Sequence, residues 1–206
     1  MIIFVKIDNT MKQKILQGAT LLSVLCLFVL GFSAQAQTAR YGVKSGILKI
    51  VAESDGHQTP ETQYFTDYGA VESLTFVMDF PGFVTYDIWY VTKGDKLWAI
   101  TVIDGKRTVK EADNPTPDLN LLSPSPEVVA KYNLQEVGEE TFLDRPCKIF
   151  TYEMRQGRKK NIVKSWVYKG IILRSEMTVG RRTSTTTAVE FEENVTPPDG
   201  VFNTEE

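Results

Sequence analysis

Histidine and cysteine are almost missing from these 206 residues: His57 is the only histidine, and of the two cysteines Cys26 lies in an apolar N-terminal stretch, leaving Cys147 alone beyond it. A zinc or transition-metal centre draws most of its soft ligands from these two residue types, and a nucleophilic triad needs a base beside its nucleophile. His57 stands in the turn-rich stretch Ser54-Asp55-Gly56-His57-Gln58-Thr59-Pro60 and reads as an exposed loop residue. Cys147 has no disulfide partner and reads as a small buried hydrophobe. Asp55, Asp67 and Asp95 match no calcium-loop spacing, and Glu139, Glu140, Glu190, Glu192 and Glu193 supply no nominated acid and base. The expectation is a protein that is not an enzyme, with no catalytic residue, no metal and no cofactor.

A concentrated basic face is also missing. Residues 1–36 hold Lys6, Lys12, Lys14 and Asp8, so of the 23 Lys and Arg and 26 Asp and Glu, 20 and 25 remain in the rest of the chain. A mildly acidic body excludes a nucleic-acid partner as the first reading. Long apolar runs are confined to the N-terminus, where Lys12 and Lys14 precede Leu21 to Phe32 and Ala34-Gln35-Ala36 follows. That is the order of a secretory signal with its small-x-small cleavage site. The apolar run is about 12 residues, where a spanning helix needs roughly 20. Residues 1–36 are therefore expected to be a signal peptide, with Met11 as the true start because Asp8 is out of place in a basic leader. Residues 37–206 are expected to form one exported domain, periplasmic or outer-membrane associated, with no membrane span after cleavage. Leu25 before Cys26 argues against lipid attachment there.

What the sequence does contain is a period-two pattern from Tyr41 to Phe202, with 42% hydrophobic and 11% aromatic residues to fill a core. Leu74, Phe76, Met78 and Phe80 alternate with polar neighbours; Val84, Tyr86, Ile88 and Tyr90 follow, then Trp98, Ile100 and Val102, and later Phe150, Tyr152 and Met154. Residues 162–168, 171–179 and 182–193 continue the series, joined by turns such as Lys93-Gly94-Asp95, Asp104-Gly105 and Lys169-Gly170. Connections this short require antiparallel neighbours. About ten such strands strain a flat sheet, so an incomplete barrel is expected. Trp89 and Val91 make the strand of Ile88 and Tyr90 apolar on both faces, which calls for cover on both sides. The pattern breaks between Ala112 and Val137, where two proline-containing stretches precede a short helix over Glu127–Tyr132, capped by Ser125 with Pro126 in its first turn. Leu121, Leu122, Val128 and Val129 of this break are the expected lid.

Five phrases carry a resemblance in their order and spacing: Tyr41-Gly42-Val43-Lys44-Ser45-Gly46-Ile47, Tyr64-Phe65-Thr66-Asp67-Tyr68-Gly69, the run 138–147 from Gly138-Glu139-Glu140 to Asp144-Arg145-Pro146-Cys147, Trp166-Val167-Tyr168-Lys169-Gly170-Ile171, and Pro197-Pro198-Asp199-Gly200-Val201-Phe202. Together they resemble exported Bacteroidetes-type relatives of the periplasmic lipoprotein carriers, the LolA-like half-barrel superfamily. The resemblance implies a mainly β fold, a single curved antiparallel sheet forming an incomplete barrel with a short helical and loop lid over an apolar cavity. It departs from the carriers in its low helical content before Val71 and in showing no counterpart of the arginine that controls their lid.

The function expected on this basis is a non-enzymatic extracytoplasmic binding protein holding a lipid, a lipoprotein acyl chain or another apolar ligand, in outer-membrane lipoprotein sorting or envelope maintenance. Phe76, Met78, Tyr86, Ile88, Tyr90, Trp98, Ile100, Phe150, Tyr152 and Met154 are the expected cavity residues, with Met177 beside them. The alternative is an envelope protein-interaction or stress-sensing module on the same fold. For it, Arg158, Lys159 and Lys160 at a hairpin tip would meet a protein partner or anionic head groups.

Overall fold

The computed structural model describes residues 39–80, 84–116, 118–156, 159–179 and 182–205. The segment read as a signal peptide, residues 1–36, and Arg158 lie outside them. The described chain forms β1 (Gly46–Ser54), β2 (His57–Thr66), β3 (Val71–Phe80), β4 (Val84–Lys93), β5 (Lys96–Ile103), β6 (Lys106–Asp113), a short helix α1 (Pro126–Tyr132), β7 (Gln135–Phe142), β8 (Arg145–Gln156), β9 (Lys159–Tyr168), β10 (Ile171–Val179) and β11 (Arg182–Glu193). All eleven strands belong to one sheet in the order β6-β5-β4-β3-β2-β1-β11-β10-β9-β8-β7. Neighbours are antiparallel throughout, from β5–β6 at one rim to β7–β8 at the other. The chain thus starts in the middle, meanders to one rim, crosses to the other through residues 114–134, and meanders back until β11 closes on β1. The sheet is not closed, since β6 and β7 remain rims.

It is nevertheless strongly curled. Arg145 at the start of β8 donates to Glu193 Oε1 at 2.9 Å and to the Phe191 carbonyl at 3.0 Å, both on β11. Three strand spacings in a flat sheet would be about 14 Å, beyond the reach of one side chain. Register shifts place Val189, Leu173 and Val137 as extra residues in β11, β10 and β7, and such bulges increase local bend and twist.

Strand alternation defines the faces. Leu48, Ile50 and Ala52 of β1 lie on an inner face with Glu61, Gln63 and Phe65 of β2, Glu72, Leu74 and Phe76 of β3, and Ile88, Tyr90 and Thr92 of β4. One buried cluster joins Leu48, Ile50, Phe65, Leu74 and Phe76 to Ile171, Leu173 and Phe191. A second joins Ala52, Phe150, Tyr152, Val163 and Met177 to Leu119, Leu121, Val128, Tyr132 and Leu134 of the crossing segment. The linker therefore lies on the inner face.

The outer face of β4 and β5 has a different cover. Val91 pairs with Trp98 and Trp89 with Ile100, and Val91 and Ile100 are buried although they point away from the linker. Arg107, which shares this outer face through its partner Val102, donates to the carbonyls of Glu205 at 2.9 Å and Asn203 at 2.8 Å. The chain after β11 thus leaves the middle of the sheet and crosses this face towards β6. Cover on both sides comes from two segments: the linker covers one face and the C-terminal tail, which was not named as cover, is held on the other. His57 opens β2 rather than lying in a loop, and it is exposed as expected.

Candidate functional site

The inner face divides into a covered half and a half-open one. On the covered half, Phe150 and Tyr152 of β8, Val163 of β9 and Met177 of β10 are buried under the linker. Ser125 caps α1 by accepting the Val128 N–H at 3.3 Å, and Asn133 ends the helix in a left-handed conformation at φ 48°. Lys131 and the Tyr132 hydroxyl both reach back to Asp118, at 2.7 Å each, so the linker is tied to itself. Only one stripe of so short a helix can face the sheet. Val128 and Tyr132, one turn apart, take it, and Val129 remains 39% exposed. Leu121 is buried while its neighbour Leu122 is 38% exposed. The expected lid is therefore corrected: Leu121 and Val128 pack inward, and Leu122 and Val129 do not.

On the other half, Phe76 is buried but Met78, Tyr86, Ile88 and Tyr90 keep part of their surface open. The Phe76 and Tyr90 rings lie 6.0 Å apart, and Phe80 meets Tyr86 edge to face at 5.8 Å. Met78 pairs with Tyr86 and Phe76 with Ile88 across β3 and β4, which makes a continuous apolar strip. The structure brings Phe76, Met78, Tyr86, Ile88 and Tyr90 together on this strip and sets Phe150, Tyr152 and Met154 on the same face of the opposite half. Trp98 and Ile100 are corrected out of the group, because the β4–β5 register turns them to the outer face. Their period-two spacing is real, but which parity faces inward is decided by the pairing and not by the strand alone.

The two ends of this face differ. The β1–β2, β3–β4, β8–β9 and β10–β11 connections share one end, with Met78, Tyr86 and Met154 near it. The other end, with the β9–β10 turn, is stitched shut. There Glu72, fully buried, is paired with Arg40, accepts the Tyr41 hydroxyl at 3.0 Å and accepts Gln63 Nε2 at 3.0 Å. The same Arg40 donates from Nη2 to the Leu119 carbonyl at 3.2 Å, tying the linker to the sheet. Burial pushes the Glu72 carboxyl up to about 7, against the pull of Arg40 and the hydrogen bonds from Tyr41 and Gln63. Gly170, at φ +85°, sits against this stitch: a Cβ there would lie 2.2 Å from the Arg40 carbonyl oxygen and 2.9 Å from Leu122 Cβ.

Lys159 opens β9, and Lys160 is exposed and paired with Glu153 at 2.7 Å. Cys147 is buried, and burial pushes its thiol up, away from a reactive thiolate. It borders a cleft of about 400 Å³ with Glu139, Glu140, Thr141, Pro146 and Lys148. In this cleft Lys148 is already paired with Glu136, and Glu140 accepts the Trp166 indole N–H at 2.6 Å. Among the described residues no group of three or more His, Cys, Asp or Glu could hold a metal ion. Arg40, Glu72 and Gln63 were missed by sequence reasoning, although Glu72 shares the inward parity of Leu74 and Phe76 and Gln63 that of Phe65.

No protein-family model and no curated protein matches the chain. Among solved structures it is similar to an uncharacterised conserved protein from Thermus thermophilus, with TM-score 0.47, 12% identity, and 78% of this chain and 89% of that one covered. It is also similar to a chain of the Pseudomonas aeruginosa MucA/MucB complex, with TM-score 0.43 and 13% identity over 81% of this chain and 57% of that one. The chain thus spans little more than half the length of that Pseudomonas protein. A third is the Mycobacterium tuberculosis lipoprotein LppX, with TM-score 0.39 and 10% identity over 75% of this chain and 90% of that one. Among its described residues the chain is mainly β, with one open antiparallel sheet and one short α-helix. No helix among the described residues is long and apolar enough to cross a membrane.

Proposed function

We propose that the chain is exported, loses residues 1–36, and acts in the envelope as a non-enzymatic binding protein that holds the acyl part of a lipid or lipoprotein against the inner face of its half-barrel. The observation that carries this reading is the strip of Met78, Tyr86, Ile88 and Tyr90, half-buried beside a linker that covers only the opposite half of the same face. Burying about 0.8 kcal/mol per CH₂, ten methylenes of an acyl chain laid on such a strip supply about 8 kcal/mol, a micromolar interaction before ordering costs. Methionine and aromatic side chains suit a ligand of variable chain length, since they repack at little cost.

Protein isolated without detergent from its own envelope is expected to yield extractable lipid by mass spectrometry. Tyr90→Asp is expected to lower that content tenfold or more, whereas Val77→Asp, at an exposed position on the outer face of β3, retains it. Lipid-free wild-type protein would overturn the reading.

A further inference from the structure

We propose that Asn161 is the polar recognition point of the inner face, and that it selects ligands whose acyl chain is joined to an amino-acid head through an amide. This rests on the apolar-ligand reading above and names the head group that the reading leaves open. Asn161 is 1% exposed, and neither its Nδ2 nor its Oδ1 has a hydrogen-bond partner. A buried carboxamide left in this state costs about 1–3 kcal/mol per unmet group, which a leucine of similar size would avoid. Ser165, two steps beyond Val163 along the same side of β9, behaves otherwise: it shares a hydrogen bond with the Tyr152 hydroxyl at 3.1 Å.

The position of Asn161 points the same way. It pairs with Met154, and Val163 pairs with Tyr152, so Asn161 lies on the inner face. The antiparallel order puts it at the β8–β9 hairpin end of the sheet, the same end as Met78 and Tyr86, and opposite the end stitched by Arg40 and Glu72. Met154 beside it is half-buried and unbranched, able to move aside for a ligand. An acyl chain on the strip would therefore carry its head towards Asn161. A carboxamide presents a donor and an acceptor side by side. An N-acylated amino acid in extended form presents the complementary pair, its amide N–H to Oδ1 and its own carbonyl to Nδ2. A head joined through an ester supplies acceptors alone and leaves Oδ1 unmet.

The test uses two probes that differ in one atom: N-palmitoylglycine methyl ester and its analogue with oxygen in place of the N–H. Wild-type protein is expected to bind the amide about tenfold more tightly in calorimetric titration, a difference on the scale of one buried hydrogen bond. Asn161→Leu is expected to bind the two probes equally, with the amide losing more affinity than the oxygen analogue, and to have a melting temperature equal to or above that of wild type. Equal binding by wild type, or a preference that survives Asn161→Leu, overturns the inference while the apolar-ligand reading stands. A clear loss of melting temperature in Asn161→Leu also overturns it, because the amide would then have partners of its own. Failure of wild type to bind either probe overturns both.

Discussion

Glu72 gives the molecule an unusual response to pH. Its carboxyl rises from 4.5 to about 7 on folding, so between those values the folded state keeps a proton that the unfolded chain has released. The contribution is therefore fully present below about 4.5 and is lost as pH rises through 7, by about 3 kcal/mol in all. Urea unfolding at pH 4.5 and pH 8 is expected to show wild type losing that amount relative to Glu72→Gln; a difference of the opposite sign would refute the assignment. Gly170 tests the adjoining packing. Gly170→Ala combines a left-handed backbone with a collision against the Arg40 carbonyl and is expected to cost about 2–3 kcal/mol. Gly94→Ala, at φ +63° with nothing near its Cβ, is expected to cost about 1 kcal/mol by the same measurement. Only the shared alternation of Glu72 with Leu74 and of Gln63 with Phe65 was present in the sequence. Their partners were not legible there, because Arg40 reaches Glu72 from a segment preceding the first strand, and no local spacing encodes that meeting.

At the scale of elements, the linker is the part on which access to the inner face depends, and its hold on the sheet is local. Ser125→Ala removes the cap of α1 and is expected to cost about 1 kcal/mol. Hydrogen exchange should show faster exchange at the Val128 and Val129 amides with β1 and β11 unchanged; uniform loss of protection would mean that α1 does not open separately. The helix was readable because Ser125, Pro126 and Asn133 are cap and turn residues whose signals are local. The rim strands β6 and β7 carry no apolar alternation that the sequence could show, although the Asp104-Gly105 turn leads into β6. Their side chains are almost all exposed, with Lys106, Lys110, Glu136 and Glu139 on them. Charge on a free edge is how an open sheet avoids pairing with its own copies, and the same charge erases the sequence signal.

Across the whole molecule, an antiparallel incomplete barrel followed from period two, short turns and strand number, whereas the face assignment needed the pairing. Trp98 and Ile100 show why: their alternation is as regular as that of Ile88 and Tyr90, yet register turns them outward, where the C-terminal tail held by Arg107 runs. The central claim is that the half-open strip on β3 and β4 is where an apolar ligand lies. Methyl NMR of protein titrated with a sixteen-carbon acyl chain tests it directly. Met78 and Ile88 are expected to shift in proportion to occupancy, with Val77 and Ile162, exposed on the outside, unmoved. Shifts confined to Val77 and Ile162, or no saturable shift at Met78 and Ile88, would contradict it.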